Sequence, residues 1–170
     1  METNNLLTVI EKLKDNSHLG KHKHFFAADR KKWFDLFFGL SIMIINLCIA
    51  VIHLFFLGRE MDYFVVYFIS GISIFAVFLA GMELRYNFAK AFEAHRRIGN
   101  KYLVIARESE KYIADFKDGQ ISKNELSTSI IPELNKKYNE INVDAESFPT
   151  RKKDYRRALK IQKEKLGNNI

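Results

Sequence analysis

The stretch "LFFGLSIMIINLCIAVIHLFFL" (Leu36–Leu57) contains no Asp, Glu, Lys or Arg, and its length decides the architecture. A helix needs roughly 20 apolar residues to cross the hydrocarbon core of a bilayer. A second block free of those charges, "YFVVYFISGISIFAVFLAGM" (Tyr63–Met82), follows after only "GREMD" (Gly58–Asp62). Two spans joined by so short a turn form a tight helical hairpin. A buried hairpin in a soluble protein would need a large apolar shell, which the rest of the chain cannot supply. The first block is not a secretory signal, because it is too long for an h-region and no small-residue cleavage pattern accompanies it.

Working outward, the flanks give an orientation. Lys21, Lys23, Arg30, Lys31 and Lys32 precede the first span, and Arg85, Lys90, Arg96 and Arg97 follow the second. The turn has only Arg59, beside Glu60 and Asp62. The excess of basic residues places both termini in the cytoplasm. Trp33 and Tyr86 then mark the inner interface and Tyr63 the outer one. The single cysteine, Cys48, lies inside a span, which excludes an intrachain disulfide.

The expected fold is all-α: an integral membrane two-helix hairpin with long cytoplasmic helical extensions and short C-terminal helices. Residues 1–20 read as an N-terminal amphipathic helix, built on Leu6, Leu7, Val9, Ile10 and Leu13 and ending around "DNSHLG" (Asp15–Gly20). Residues 21–118 read as the hairpin with continuous helical rods, and 119–170 as C-terminal helices with a basic tail. After the second span, Leu84, Phe88, Ala91, His95, Ile98, Tyr102, Ile105, Ser109, Tyr112 and Phe116 recur at steps of four and three. That heptad-like, coiled-coil pattern predicts an unbroken helix roughly 50 Å long at about 1.5 Å per residue. Such a rod either transmits movement to the bilayer or serves as a stalk for oligomerisation. Gly119 is its expected C-terminal cap. "SKNE" (Ser122–Glu125) matches a capping box, Pro132 begins or kinks a helix ending near Asn142, "VDAESFPT" reads as a linker, and a last helix runs from about Thr150 to Leu166.

The whole chain carries a net charge of +7. "RKKDYRRALKIQKEKL" (Arg151–Leu166) holds eight basic and two acidic residues, a net of +6, leaving +1 for everything else. Its basic residues, Arg151, Lys152, Lys153, Arg156, Arg157 and Lys160 among them, suit anionic lipid, an acidic protein partner or nucleic acid, or simply form a solvated face.

No catalytic constellation is apparent: there is no phosphate loop, no nucleophile elbow and no CxxC pair. The chain is therefore not expected to be an enzyme, and no cofactor is implied. His18, His22 and His24 crowd together but lack the carboxylates or thiols that would complete a metal site. The polar residues inside the spans are more informative. Lys32, Gly39, Asn46 and His53 are spaced by seven and share one face of the first helix. Ser70, Ser73, Val77 and Ala80 make a stripe of smaller side chains on the second. Polar residues in a span either line a water path or join helices to one another. Antiparallel pairing about the turn sets residues whose numbers total roughly 120 at one depth. Asp35 then meets Arg85 at the inner edge, as a structural clasp in preference to a gate latch, and His95 comes level with His24 and Phe25. His95 interrupts an otherwise apolar stretch of the seam, where a polar residue fixes register.

"HFFAADRKKWFDLFFGL" (24–40) and "EAHRRIGNKYLVIAR" (93–107) resemble the SLATT family of two-span membrane effectors. The shared features are a His and small residues ahead of the first span, the very short turn, and His95 followed by Tyr102. The likeness covers roughly residues 20–165. It implies a membrane-perturbing or pore-forming effector, triggered during phage infection and causing growth arrest or death; because two spans cannot enclose a water path alone, a leak across the inner membrane would need a homo-oligomer. It also implies a trigger from a nucleotide second messenger or a defence-operon protein such as a reverse transcriptase; nucleic acid is not expected as the direct ligand. The alternative is a membrane-anchored coiled-coil scaffold that recruits a cytoplasmic partner.

Overall fold

The computed structural model describes residues 2–57 and 60–167. Every regular element among them is helical and there is no strand. The order is α1 (Glu2–Phe55), α2 (Tyr63–Tyr86), α3 (Phe88–Lys117), α4 (Lys123–Glu125), a π turn (Leu126–Ile130), α5 (Ile131–Glu146) and α6 (Lys152–Gly167). Of the short turn, Gly58 and Arg59 lie outside the described residues. The chain divides into two compact units: a hairpin, Arg30–Ala91, and a bundle formed by Met1–Asp29 with Phe92–Ile170.

In the hairpin, α2 starts at Asp62, whose carboxylate accepts the Phe64 N–H at 3.1 Å. Ile69 and Ala76 are buried on α2, yet the apolar sides of both helices are otherwise open. None of the most apolar window of α1 is buried, and 11% of that of α2. A core helix of a soluble protein would be mostly covered, so these two surfaces need an apolar solvent. Phe88 gathers the base of the hairpin, stacking with Phe34 (5.6 Å between centroids), Phe38 (5.4 Å) and Tyr86 (5.6 Å). Trp33 stacks on Phe37 at 5.3 Å.

The bundle packs the first part of α1 against α3, the π turn and α5. Its core is Ile10, Leu13, Ile98, Tyr102, Ile105, Ile113, Leu126, Ile130, Leu134 and Ile141. Two glycines let α1 and α3 approach closely. A Cβ on Gly20 would come within 2.9 Å of the Tyr102 ring, and one on Gly99 within 2.5 Å of the Phe25 ring. Each helix thus offers a flat patch to an aromatic ring of the other.

Three expectations are corrected. The first helix does not end near Gly20; α1 runs on from Glu2 to Phe55, because Gly20 serves as a packing surface for Tyr102 and the contact offsets its poor helix propensity. The helix after the second span is not unbroken. Asn87 adopts the left-handed conformation (φ 40°, ψ 62°) between α2 and α3. Its N–H donates to the Glu83 carbonyl at 2.9 Å, ending α2, while its Oδ1 accepts the Lys90 N–H at 3.1 Å, starting α3. Asparagine tolerates this conformation better than most residues and caps well. As a result Leu84, expected at the head of the seam, is 84% exposed, whereas His95, Ile98, Tyr102, Ile105 and Ser109 are buried. Finally, α5 continues past Asn142 to Glu146 and α6 begins at Lys152. The expected caps do form: Ser122 Oγ accepts the Glu125 N–H at 3.1 Å, and Gly119 takes φ 75° beyond α3.

Candidate functional site

In the hairpin, the structure brings three of the expected polar residues together. His53, Ser70 and Ser73 line one groove of about 390 Å³ with Val66, Ile69 and Ile74. The serine hydroxyls turn back onto their own helix, Ser70 Oγ donating to the Val66 carbonyl at 2.9 Å and Ser73 Oγ to that of Ile69 at 2.8 Å. Asn46 stands apart from this groove and is exposed, as are Met43, Ala50 and His53 on the same side of α1. Gly39 faces Glu83, whose Oε1 would lie 3.9 Å from an added Cβ. Among the described residues no ion pair joins Asp35 and Arg85. Asp35 instead borders a cleft of about 370 Å³ with Glu83, Asn87 and Phe88, and Arg85 is exposed.

His95 sits at the polar centre of the bundle. Its Nδ1 lies 3.1 Å from Nδ1 of His24, so one imidazole donates its N–H to the bare nitrogen of the other. The two residues are 2% and 1% exposed. The rings are tilted, with centroids 5.3 Å apart, and Phe148 meets His95 edge-on at 6.1 Å. Burial, then the charges of Lys23 and His95, holds His24 down at about 3, against an opposing pull from Asp154. Asp154 is itself 2% exposed and accepts the Arg151 N–H at 3.0 Å. Tyr102 closes the cluster: its ring is 5.8 Å from that of His24, and its hydroxyl donates to Asn142 Oδ1 at 2.6 Å. Burial, reinforced by Tyr138, pushes Tyr102 up to about 12, so the phenol stays a donor.

These side chains come from α1, α3, α5 and α6, and the contact is a polar lock in an apolar core. Among the described residues no group of three or more His, Cys, Asp or Glu could hold an ion, and His18 is engaged with Glu110 at 3.0 Å. Sequence reasoning found His24 and His95 but missed Asp154, Asn142 and Tyr138. The one available signal was the spacing of Asp154, Ala158 and Ile161 at three and four, which marks the inward face of α6.

The expected basic-tail residues remain outside the core. Arg151, Lys152, Lys153, Arg156, Arg157 and Lys160 are all exposed.

The fold and its uncovered apolar spans define a helical membrane protein of the two-span class, with a compact helical bundle built from the sequence on either side of the hairpin. Residues 20–166 match the SMODS and SLOG-associating 2TM effector domain family 4. The chain belongs to that family, a group of two-transmembrane effector domains of antiphage conflict systems. No curated protein and no solved structure matches it.

Proposed function

We propose that this chain acts in the bacterial inner membrane with both termini in the cytoplasm, assembles from several copies, and opens a leak when triggered, arresting or killing the cell. The observation that supports this reading is Asn46. Its amide lies midway along the first span, exposed on the outside of the hairpin, where hydrocarbon offers it no partner. An amide in that position is stabilised by a neighbouring helix or by water. Two spans cannot enclose a water path alone, so a leak requires several hairpins, and the side bearing Met43, Asn46, Ala50 and His53 is the one they would share. A stripe with one amide and one imidazole, and no ring of acids, suits a weakly selective leak.

In the resting state the bundle is closed by its core and by the His24–His95 contact. A separate partner, either a nucleotide second messenger or a defence-operon protein, would bind the bundle and release it. The scaffold reading has one observation in its favour: the Ser70 and Ser73 hydroxyls bond to their own helix, as packing residues do.

The two readings separate on Asn46→Leu. With equal amounts in the membrane, wild type should depolarise triggered cells and the Leu variant should not. Undiminished depolarisation by the variant would leave the stripe as packing and favour the scaffold.

A further inference from the structure

The last helix has two sides of opposite character, and the packing fixes which way each faces. Asp154 and Ala158 are buried, at 2% and 0% exposure. Gln162 Nε2 donates to the Asp15 carbonyl at 3.2 Å, and Asp154 accepts the Arg151 N–H at the start of the helix. At about 100° per residue, Lys152, Lys153, Arg156, Arg157, Lys160 and Lys163 fall within a single arc roughly 140° wide, opposite that inward side. All six are exposed. Of these six, only Lys160 has an ion pair among the described residues, at 3.8 Å, with Glu164, the one acidic side chain on the arc. Elsewhere in the bundle cations are neutralised across helices, Lys101 by Asp144 and Lys137 by Glu108.

We propose that this arc is a docking surface for anionic lipid headgroups of the bilayer in which the chain itself is anchored. The chemistry of the arc selects among polyanions. A protein interface needs an apolar centre to anchor it, and the arc has none. Single-stranded nucleic acid needs aromatic platforms for its bases, and the one exposed aromatic, Tyr155, lies off the arc. A layer of lipid phosphates needs only a broad patch of cations, which the arc is. The two spans also tether α6 to that layer, so headgroups are present at a high effective concentration. Binding by charge alone depends on anionic lipid content and is screened by salt. This inference rests on membrane residence and not on the leak.

The test uses the full chain in lipid nanodiscs, with Cys48→Ser and a spin label on Tyr155→Cys, and a trace of nickel-chelating lipid as the headgroup probe. Nickel-induced relaxation of the label is expected in discs doped with phosphatidylglycerol. It should be lost in pure phosphatidylcholine, at high salt, and in Arg156→Gln/Arg157→Gln/Lys160→Gln. Those three side chains are exposed, so circular dichroism should show an unchanged helix content. Equal relaxation in both kinds of disc, or none in either, would overturn the proposal. So would immobilisation of the label by duplex DNA or by poly-glutamate in neutral discs, which would reassign the arc to nucleic acid or to an acidic protein. Depolarisation plays no part in the readout, so failure here is distinct from failure of the leak.

Discussion

The Nδ1 atoms of His24 and His95 lie 3.1 Å apart in the bundle core, sharing a single proton between two buried rings. Protonating both rings removes the acceptor and sets two positive charges side by side. His24 is held down at about 3 by burial and by neighbouring charge, below its ordinary unfolded value of about 6.5. Between those values the unfolded chain binds a proton that the folded bundle refuses. The stability from keeping His24 neutral is therefore complete above pH 6.5 and is lost as pH falls towards 3. We expect the bundle to lose about 2 kcal/mol between pH 7 and pH 5, at roughly 1.4 kcal/mol per unit below 6.5. Denaturant unfolding of the full chain in detergent measures this, and His24→Gln should flatten the dependence. An equally steep profile in that variant would place the titration elsewhere.

The glycine contacts give a second expectation. Gly99→Ala drives a methyl into the Phe25 ring, whose nearest carbons would lie 2.5 Å from the added Cβ. Overpacking of this kind costs about 1–3 kcal/mol. Phe25→Leu should restore part of that loss in the double variant while being destabilising alone. Thermal unfolding of the four proteins completes the cycle, and simple additivity would show that the two positions do not meet.

Asn87 carries the third. Asn87→Gly keeps the left-handed backbone and loses only the cap, for a few tenths of a kcal/mol. Asn87→Ala loses the cap and strains the backbone, for about 1–2 kcal/mol. The expected order of melting temperatures is wild type, Gly, Ala. An Ala variant as stable as wild type would mean that α2 and α3 join smoothly without it.

Orientation is checked chemically. On a Cys48→Ser background, Glu60→Cys should react with an impermeant maleimide added to intact cells, and Gln120→Cys should not. The reverse pattern would invert the proposed topology.

The hairpin was legible because a span needs only length and apolarity, and both blocks have them. The His24–His95 contact was legible because an antiparallel pair about a short turn brings residue numbers totalling about 120 to one level. Gly20 misled for a physical reason. Propensity treats a helical glycine as a weak point, whereas here it is the surface on which Tyr102 rests. Asn87 was overlooked because the apolar repeat continues through it, and periodicity does not register a single residue that turns the backbone left-handed. Asp154 read as one charge among many in a basic helix. Its burial was marked only by the spacing of Asp154, Ala158 and Ile161, too short a pattern to stand out against the surrounding charge.

Trp33, exposed in the hairpin and stacked on Phe37, is the single tryptophan of the chain, while Tyr102 and Tyr138 meet ring to ring in the bundle core. The protein thus carries two unlabelled optical channels, one in each unit. Indole emission follows the polarity around the first span, and near-ultraviolet dichroism from the packed Tyr102–Tyr138 pair, unlike that of the exposed Tyr63, Tyr67 and Tyr86 of the hairpin, follows the order of the bundle. A trigger that loosened the bundle before disturbing the spans would be seen as two separate spectral events, in that order.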